Sequence, residues 1–304
     1  MRNAIANDVE APKGISTIRR LPDPELRNLW DSIVVDDRLK SQLLSQAVLN
    51  FTLRPKVPRT VVPMHGVILM VGPPGTGKTS LARGLASRVA ESFKDSRFRL
   101  LEVEPHALTS SAMGKTQKAV TELFGQSIAE ATHQGPTIVL LDEVETLAVD
   151  RSRLSMDANP IDIHRATDAV LVQLDALAEA HPNLLFVATS NFPKAIDAAF
   201  LSRCDFIAEV GLPNASACEQ ILAECLKGLS AEYPAIGKIG GAKLRACAKA
   251  CEGLDGRTIR KMVVNALASS PETALNPEKL TADDILAAAK AARAAKQASS
   301  GEPA

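Results

Sequence analysis

Val67-Ile68-Leu69-Met70-Val71 runs straight into Gly72-Pro73-Pro74-Gly75-Thr76-Gly77-Lys78-Thr79-Ser80. Five consecutive apolar residues bounded by turn formers read as a buried strand, and helical spacing resumes from Ser80 to Ala90. Between them, Gly72 to Thr79 satisfies G-x-x-x-x-G-K-[ST], the phosphate-binding loop. The glycines keep side chains away, so backbone N–H groups can wrap phosphates, and the helix start adds a favourable field. Lys78 then supplies charge to the β/γ-phosphates and the Thr79 hydroxyl a ligand for Mg²⁺. The whole segment from Gly72 through Pro73, Pro74, Gly75, Thr76, Gly77, Lys78 and Thr79 to Ser80 is therefore expected to contact ATP.

Outward from this loop, strand and helix patterns alternate. Phe98–Val103, Thr137–Leu141, Leu184–Ala188 and Phe206–Val210 read as four further strands. Lys115–Ala131 and Asp162–Ala180 carry helical spacing. Such alternation predicts an α/β domain with a parallel five-stranded sheet covered on both faces. After Pro213 the strands stop. Cys218–Leu229, Lys243–Cys251, Thr258–Ala268 and a stretch from Asp283 to about Lys296 read as helices of a small all-α domain, with Thr281 and Asp284 placed as a capping box. The expected organisation is a flexible N-terminal arm at 1–28, a large domain at 29–213, a helical lid at 214–292 and a disordered tail at 293–304. At the arm's end, Asp23-Pro24-Glu25 has the form of an N-cap, a first-turn proline and a dipole-compatible acid.

Two acids close the third strand, in Leu140-Leu141-Asp142-Glu143. Polar residues at the carboxyl end of a buried parallel strand face the crevice where ligands bind. Beside a phosphate-binding loop, Asp142 suits Mg²⁺ and Glu143 suits activation of the attacking water. Thr189-Ser190-Asn191 leaves the fourth strand at the same edge. Asn191 suits a water-orienting role there, the other reading being a simple turn former.

Composition narrows the function classes. Lys plus Arg and Asp plus Glu both number 35, and aromatics make up 3% of the chain. Neutral charge and few rings argue against a polyelectrolyte partner such as nucleic acid. No apolar stretch of membrane-spanning length occurs, so a cytoplasmic protein without membrane attachment is expected. Cys204, Cys218, Cys225, Cys247 and Cys251 form no C-x-x-C pair, which predicts reduced buried thiols and no zinc site.

Taken together, GPPGTGKTSLA, LLDEVETL, ATSN and AIDAAFLSRCDF resemble the AAA+ motifs called Walker A, Walker B, sensor 1 and the arginine-finger region. More narrowly, LWDSIV at 29–34, VETLAVDR at 144–151, DIHRATDAVLVQLDAL at 162–177 and GLDGRTIRK at 253–261 resemble the pachytene-checkpoint branch, which remodels HORMA-domain proteins. The likeness runs from about Leu29 to Ala268. It implies a homo-oligomeric ring, expected to be a hexamer, with ATP between the two domains and against the next subunit. It places Arg203 as a finger acting on the neighbour's nucleotide and Arg257 as the sensor 2 arginine acting in cis. A planar, permanently charged guanidinium suits both. Ile33 and Val34 match an apolar linker that touches adenine, and match ordinary core residues equally well.

Two departures from the family pattern matter. Eukaryotic relatives carry an N-terminal adaptor-binding domain, whereas about 28 residues precede LWDSIV here, so adaptor use by that route is not expected. The expected pore loop reads Ala112-Met113-Gly114, with alanine at the usual aromatic position, which suits a short pull better than processive unfolding. Bacterial members of the branch accompany HORMA proteins in anti-phage cyclic-nucleotide signalling. The resemblance therefore implies an ATP-driven remodeller that reopens a HORMA complex and restrains that signal. The rival readings are a clamp-loader or branch-migration ATPase and a non-catalytic, ATP-gated scaffold.

Overall fold

The computed structural model describes residue 12 and residues 14–94, 96–104, 115–150 and 160–300. The expected pore loop, Ala112, Met113 and Gly114, lies outside the described residues. The chain divides into two compact units. The first runs to Asp31 and includes Arg38–Val71 and Thr79–Glu209; the second holds Ser32–Asp37, Gly72–Lys78 and the chain from Val210.

The first unit is built on β1 (Ile15–Leu21), β2 (Val67–Val71), β3 (Phe98–Val103), β4 (Thr137–Leu141), β5 (Leu184–Ser190) and β6 (Phe206–Glu209). These strands lie in the order β1-β3-β4-β5-β2-β6. β3, β4, β5, β2 and β6 run parallel, and β4 and β5 are buried at every position. That continuous burial is what a strand covered on both faces requires, and it is why these sequences read as unbroken apolar runs.

The sheet has six strands where five were expected. β1 falls in the region read as a flexible arm, and it pairs antiparallel with β3, from Leu21 opposite Phe98 to Ile18 opposite Leu101. Only Ile15 and Leu21 are buried, while Ile18 is 48% exposed. An edge strand needs one hydrogen-bonded neighbour and little apolar surface, so its side chains carry a weak pattern. The arm expectation is corrected again by α1 (Pro24–Ser32), whose start is capped as foreseen. The Asp23 carboxylate accepts from the N–H groups of Glu25 at 2.8 Å and Leu26 at 3.4 Å.

α2 (Asp37–Leu53) and α3 (Lys78–Glu91) follow. Trp30 of α1 lies so close to α3 that a Cβ on Gly84 would sit 2.6 Å from it. The helix expected over Lys115–Ala131 is α4 (Lys115–Glu122), a π-helical turn at Leu123–Ile128, and α5 (Ala129–His133). Phe124 in that turn stacks on Phe186 of β5, with ring centroids 5.8 Å apart. α6 (Pro160–Ala180) and the short α7 (Ala198–Leu201) complete the unit.

The second unit contains α8 (Ala215–Ser230), α9 (Gly241–Ala250), α10 (Gly256–Leu267), α11 (Pro271–Leu275) and α12 (Ala282–Ser300) around a core including Leu222, Ile259, Met262, Val263 and Ile285. Thr281 and Asp284 cap α12 reciprocally: Asp284 Oδ2 accepts from the Thr281 N–H at 2.9 Å, and Thr281 Oγ1 from the Asp284 N–H at 3.2 Å. α12 continues to Ser300, which corrects most of the expected disordered tail at 293–304. Its Ala-Lys-Arg-Gln run has high helix propensity and needs no apolar face to extend. All five cysteines are free thiols, and burial pushes Cys204 and Cys251 up to about 12 and Cys218 to about 11.

Strand β2 is anchored at its start by Asp205. Its carboxylate accepts from the backbone N–H groups of His65 at 2.9 Å, Gly66 at 2.6 Å and Val67 at 3.0 Å. Replacing it leaves three donors without their charged acceptor. Asp205→Ala is expected to lower the unfolding free energy by about 2–4 kcal/mol, read by urea denaturation, with an unchanged dependence on denaturant.

Candidate functional site

Parallel pairing brings strand ends into line. Leu141, the last residue of β4, is opposite Ala188, and Val71, the last of β2, is opposite Ser190. Residues just beyond β4 therefore sit beside the final residues of β5. Asp142 is the first residue past β4, and the Thr189 hydroxyl donates to its Oδ1. The Thr79 hydroxyl, in the first turn of α3, donates to the same oxygen at 2.8 Å.

Glu143 takes a left-handed backbone conformation, φ 52° and ψ 53°, the one positive φ among the described non-glycine residues. Such a conformation is uncommon for a residue with a side chain and costs about 1–3 kcal/mol. It is held by the Glu143 N–H, which donates to Thr189 Oγ1 at 3.2 Å. The exposed Glu143 carboxylate accepts from the Asn191 carboxamide at 3.3 Å. Asn191 is fixed in turn by its own N–H, which donates to Glu145 Oε1 at 3.1 Å. The other Glu145 oxygen is buried and has no hydrogen-bond partner among the described residues. Thr79, Asp142, Glu143 and Asn191 meet here as their positions in the sequence predict; Thr189 and Glu145 join them from within ATSN and LLDEVETL, where neither residue type signals a role.

In the second unit, the loop Gly72–Lys78 has its own supports. Gly75 has φ +80°, and a Cβ there would lie 2.0 Å from Asp255 Oδ1. Gly77 has φ +93°, with Ile33 Cδ1 at 2.8 Å from the same imagined position. Both positions thus exclude any side chain on conformational and steric grounds. The Lys78 ammonium, 5% exposed, donates to the carbonyls of Gly72 at 2.9 Å and Pro73 at 2.8 Å. Thr76 is buried and donates to the Pro73 carbonyl, whereas Pro73 and Pro74 are exposed and Ser80, in α3, is half-buried. The Arg257 N–H donates to the Gly75 carbonyl at 3.1 Å, while its side chain is exposed. Ile33 thus lies against the loop, whereas Val34 packs on the helical core.

Arg203 has its own set of partners. Its Nε and Nη2 donate to the two Asp175 oxygens at 2.9 and 2.7 Å, and its Nη1 to the Ala199 carbonyl at 2.7 Å. The guanidinium holds the Asp175 carboxyl below its usual range, and His65 lies 3.5 Å from the same carboxylate. Asp175 lies within the DIHRATDAVLVQLDAL stretch and His65 in no motif, and nothing in the sequence marks either as a partner of Arg203.

The donor set fits a magnesium nucleotide. Thr79 directs its hydroxyl hydrogen to Asp142, which leaves oxygen lone pairs for a hard cation, and Asp142 adds carboxylate oxygen. Left-handed Gly75 and Gly77 precede the buried Lys78 ammonium in the loop, an arrangement suited to anions.

Sequence comparisons agree with this chemistry. Residues 68–212 match the ATPase family associated with various cellular activities (AAA). CD-NTase-associated protein 6 of Pseudomonas aeruginosa is 65% identical over 289 residues, 95% of each chain. A pachytene checkpoint protein 2 homolog of Oryza sativa subsp. indica is 34% identical over 284 residues, covering 82% of this chain and 60% of that protein. The chain thus spans under two thirds of the latter's length. A chain of the HORMA:CdnC:Trip13 complex of E. coli MS115-1 shares the fold, with a TM-score of 0.76 at 18% identity over 90% of this chain and 94% of that one. No helix among the described residues is long and apolar enough to cross a membrane. With its phosphate-binding loop, its paired strand-end acids and its full-length kinship, the chain belongs to the AAA family of ATPases, in the group that includes CD-NTase-associated protein 6 and the pachytene checkpoint protein 2 homologues.

Proposed function

We propose that this ATPase works as a ring, with six subunits, that uses Mg²⁺-dependent ATP hydrolysis to reopen a HORMA-domain protein complex and so restrain anti-phage signalling. The remodelling part is carried by the 65% identity that extends over 95% of CD-NTase-associated protein 6. Kinship over 95% of each chain, rather than over the ATPase motifs alone, argues for a shared task. The partners in the E. coli complex, HORMA and CdnC, name the kind of substrate in view.

The hydrolytic part follows from the site. The backbone N–H groups of Gly72–Thr79 and the Lys78 ammonium bind the phosphates. Thr79 and Asp142 hold Mg²⁺, which neutralises phosphate charge when bound. Glu143 takes a proton from the attacking water, and Asn191 steadies its carboxylate; the 3.3 Å contact between them supports that assignment. Arg257 acts on the nucleotide of its own subunit and Arg203 on that of the neighbour. Asp175 takes two N–H donors along one edge of the Arg203 fork and the Ala199 carbonyl a third, so the guanidinium keeps a defined plane with its remaining N–H donors available.

Pulling is assigned to the segment at Ala112-Met113-Gly114. A terminal segment of a folded domain opens at a fraction of the global unfolding free energy, so a loop without an aromatic grip suffices for a local pull.

Three outcomes test this reading. Glu143→Gln keeps the metal and phosphate ligands, so it should bind ATP normally while phosphate release falls at least about 100-fold; near-normal turnover removes Glu143 from the chemistry. Arg203→Ala should bind ATP yet hydrolyse it about 10³-fold more slowly. Mixed with Lys78→Ala it should regain part of the activity, because one hybrid interface pairs an intact loop with an intact finger. Absence of recovery in hybrid rings verified by native mass spectrometry would assign Arg203 a structural role. Finally, the wild-type protein with ATP and no adaptor should release a fluorescent peptide from its cognate HORMA-domain protein. Met113→Asp should abolish release with basal hydrolysis retained. Hydrolysis without any release by the wild type would refute the HORMA assignment, and full release by Met113→Asp would refute pulling by this loop.

A further inference from the structure

We propose that Thr189 is a positioning residue that couples the Mg²⁺ seat to the water-activating carboxylate. The inference rests on the roles given above to Asp142 and Glu143.

Thr189 is 2% exposed, near the end of an otherwise apolar strand that begins Leu184-Leu185-Phe186-Val187-Ala188. A hydroxyl in such surroundings is costly unless both its donor and its acceptor capacities are met. Both are met by the same two-residue segment: the hydrogen goes to the Asp142 carboxylate, and the oxygen accepts the Glu143 N–H at 3.2 Å. A single group with fixed polarity thus ties the side chain of one acid to the backbone of the next. β-branching restricts the Thr189 rotamer, which keeps that direction stiff.

Two consequences follow. Asp142 receives hydroxyl donors from Thr79 and Thr189 on one oxygen, so its carboxylate plane is set from α3 and β5 together. Glu143 is held in the left-handed conformation that sends its side chain to Asn191. Without the Thr189 oxygen, its amide loses this anchor, and the backbone is free to relax to an ordinary conformation with the carboxylate displaced. One hydroxyl therefore bears on two properties that a packing role would leave untouched: the metal dependence of nucleotide binding and the turnover rate at saturating nucleotide.

Thr189→Val keeps the shape and removes the hydroxyl, whereas Thr189→Ser keeps the hydroxyl and removes the methyl. In the full-length protein, the Mg²⁺ concentration at half-maximal binding of a fluorescent ATP analogue should rise about tenfold in Thr189→Val. Binding of a fluorescent ADP analogue in EDTA should stay within about twofold of wild type. Turnover at saturating Mg²⁺ and ATP should fall about 10–100-fold with little change in KM. Thr189→Ser should match wild type within about threefold in all three. If Thr189→Val does not fold, Thr189→Ala provides the same contrast with Thr189→Ser. A Thr189→Val protein that melts earlier but keeps the wild-type Mg²⁺ dependence and turnover overturns the proposal, as does a Thr189→Ser protein as impaired as Thr189→Ala. The Glu143→Gln control separates the two levels. Normal turnover there removes the underlying reading, whereas a blocked Glu143→Gln beside a normal Thr189→Val removes only the role of Thr189.

Discussion

Parallel hydrogen bonding among β2, β4 and β5 is the constraint on which the rest of the first unit depends. A parallel ladder covered on both faces has no wet side, so polar groups can appear only where the strands end. Register then decides which ends meet: Leu141 opposite Ala188 puts Asp142 beside Thr189, and Val71 opposite Ser190 ends β2 beside the end of β5. The chemistry is a boundary property of an apolar lattice.

The energetic scale explains why such a boundary tolerates strain. Val67, Ile68, Leu69 and Met70 of β2 are at most 2% exposed, and each such side chain contributes about 1.5–3 kcal/mol on burial. A left-handed Glu143 costs about 1–3 kcal/mol, comparable with one of those residues. The sheet therefore holds one uncommon conformation at its edge without threatening the fold, and that conformation turns a carboxylate toward Asn191 and solvent rather than along the strand.

Arg203 follows a different rule. Its side chain is 22% exposed and that of Asp175 41%, so solvent screens the pair and it contributes at most about 1 kcal/mol. The contact sets the direction of the guanidinium more than it retains it. A phosphate is a stronger partner for the remaining donors than an exposed carboxylate, so orientation by Asp175 is compatible with action elsewhere.

Periodicity and motif spacing alone determined the five parallel strands, the switch to helices after Pro213, the phosphate-binding loop and the acids at Asp142 and Glu143. These signals are local: an apolar run, a glycine pattern or a cap such as Thr281 with Asp284 acts within a few residues, and local chemistry survives in a linear string. Tertiary structure decided what depends on partners distant in sequence. β1 exists because β3 offers a backbone edge, with only Ile15 and Leu21 buried to mark it. The left-handed turn at Glu143 is held by a hydroxyl 46 residues away, and Asn191 by Glu145 across the same interval. Arg203, in the turn after α7, meets Asp175 of α6, 28 residues earlier. Each of these bonds rests on the sheet register or on helix packing, and a residue's hydrogen-bonding capacity gives no sign of its partner until the fold brings the two together.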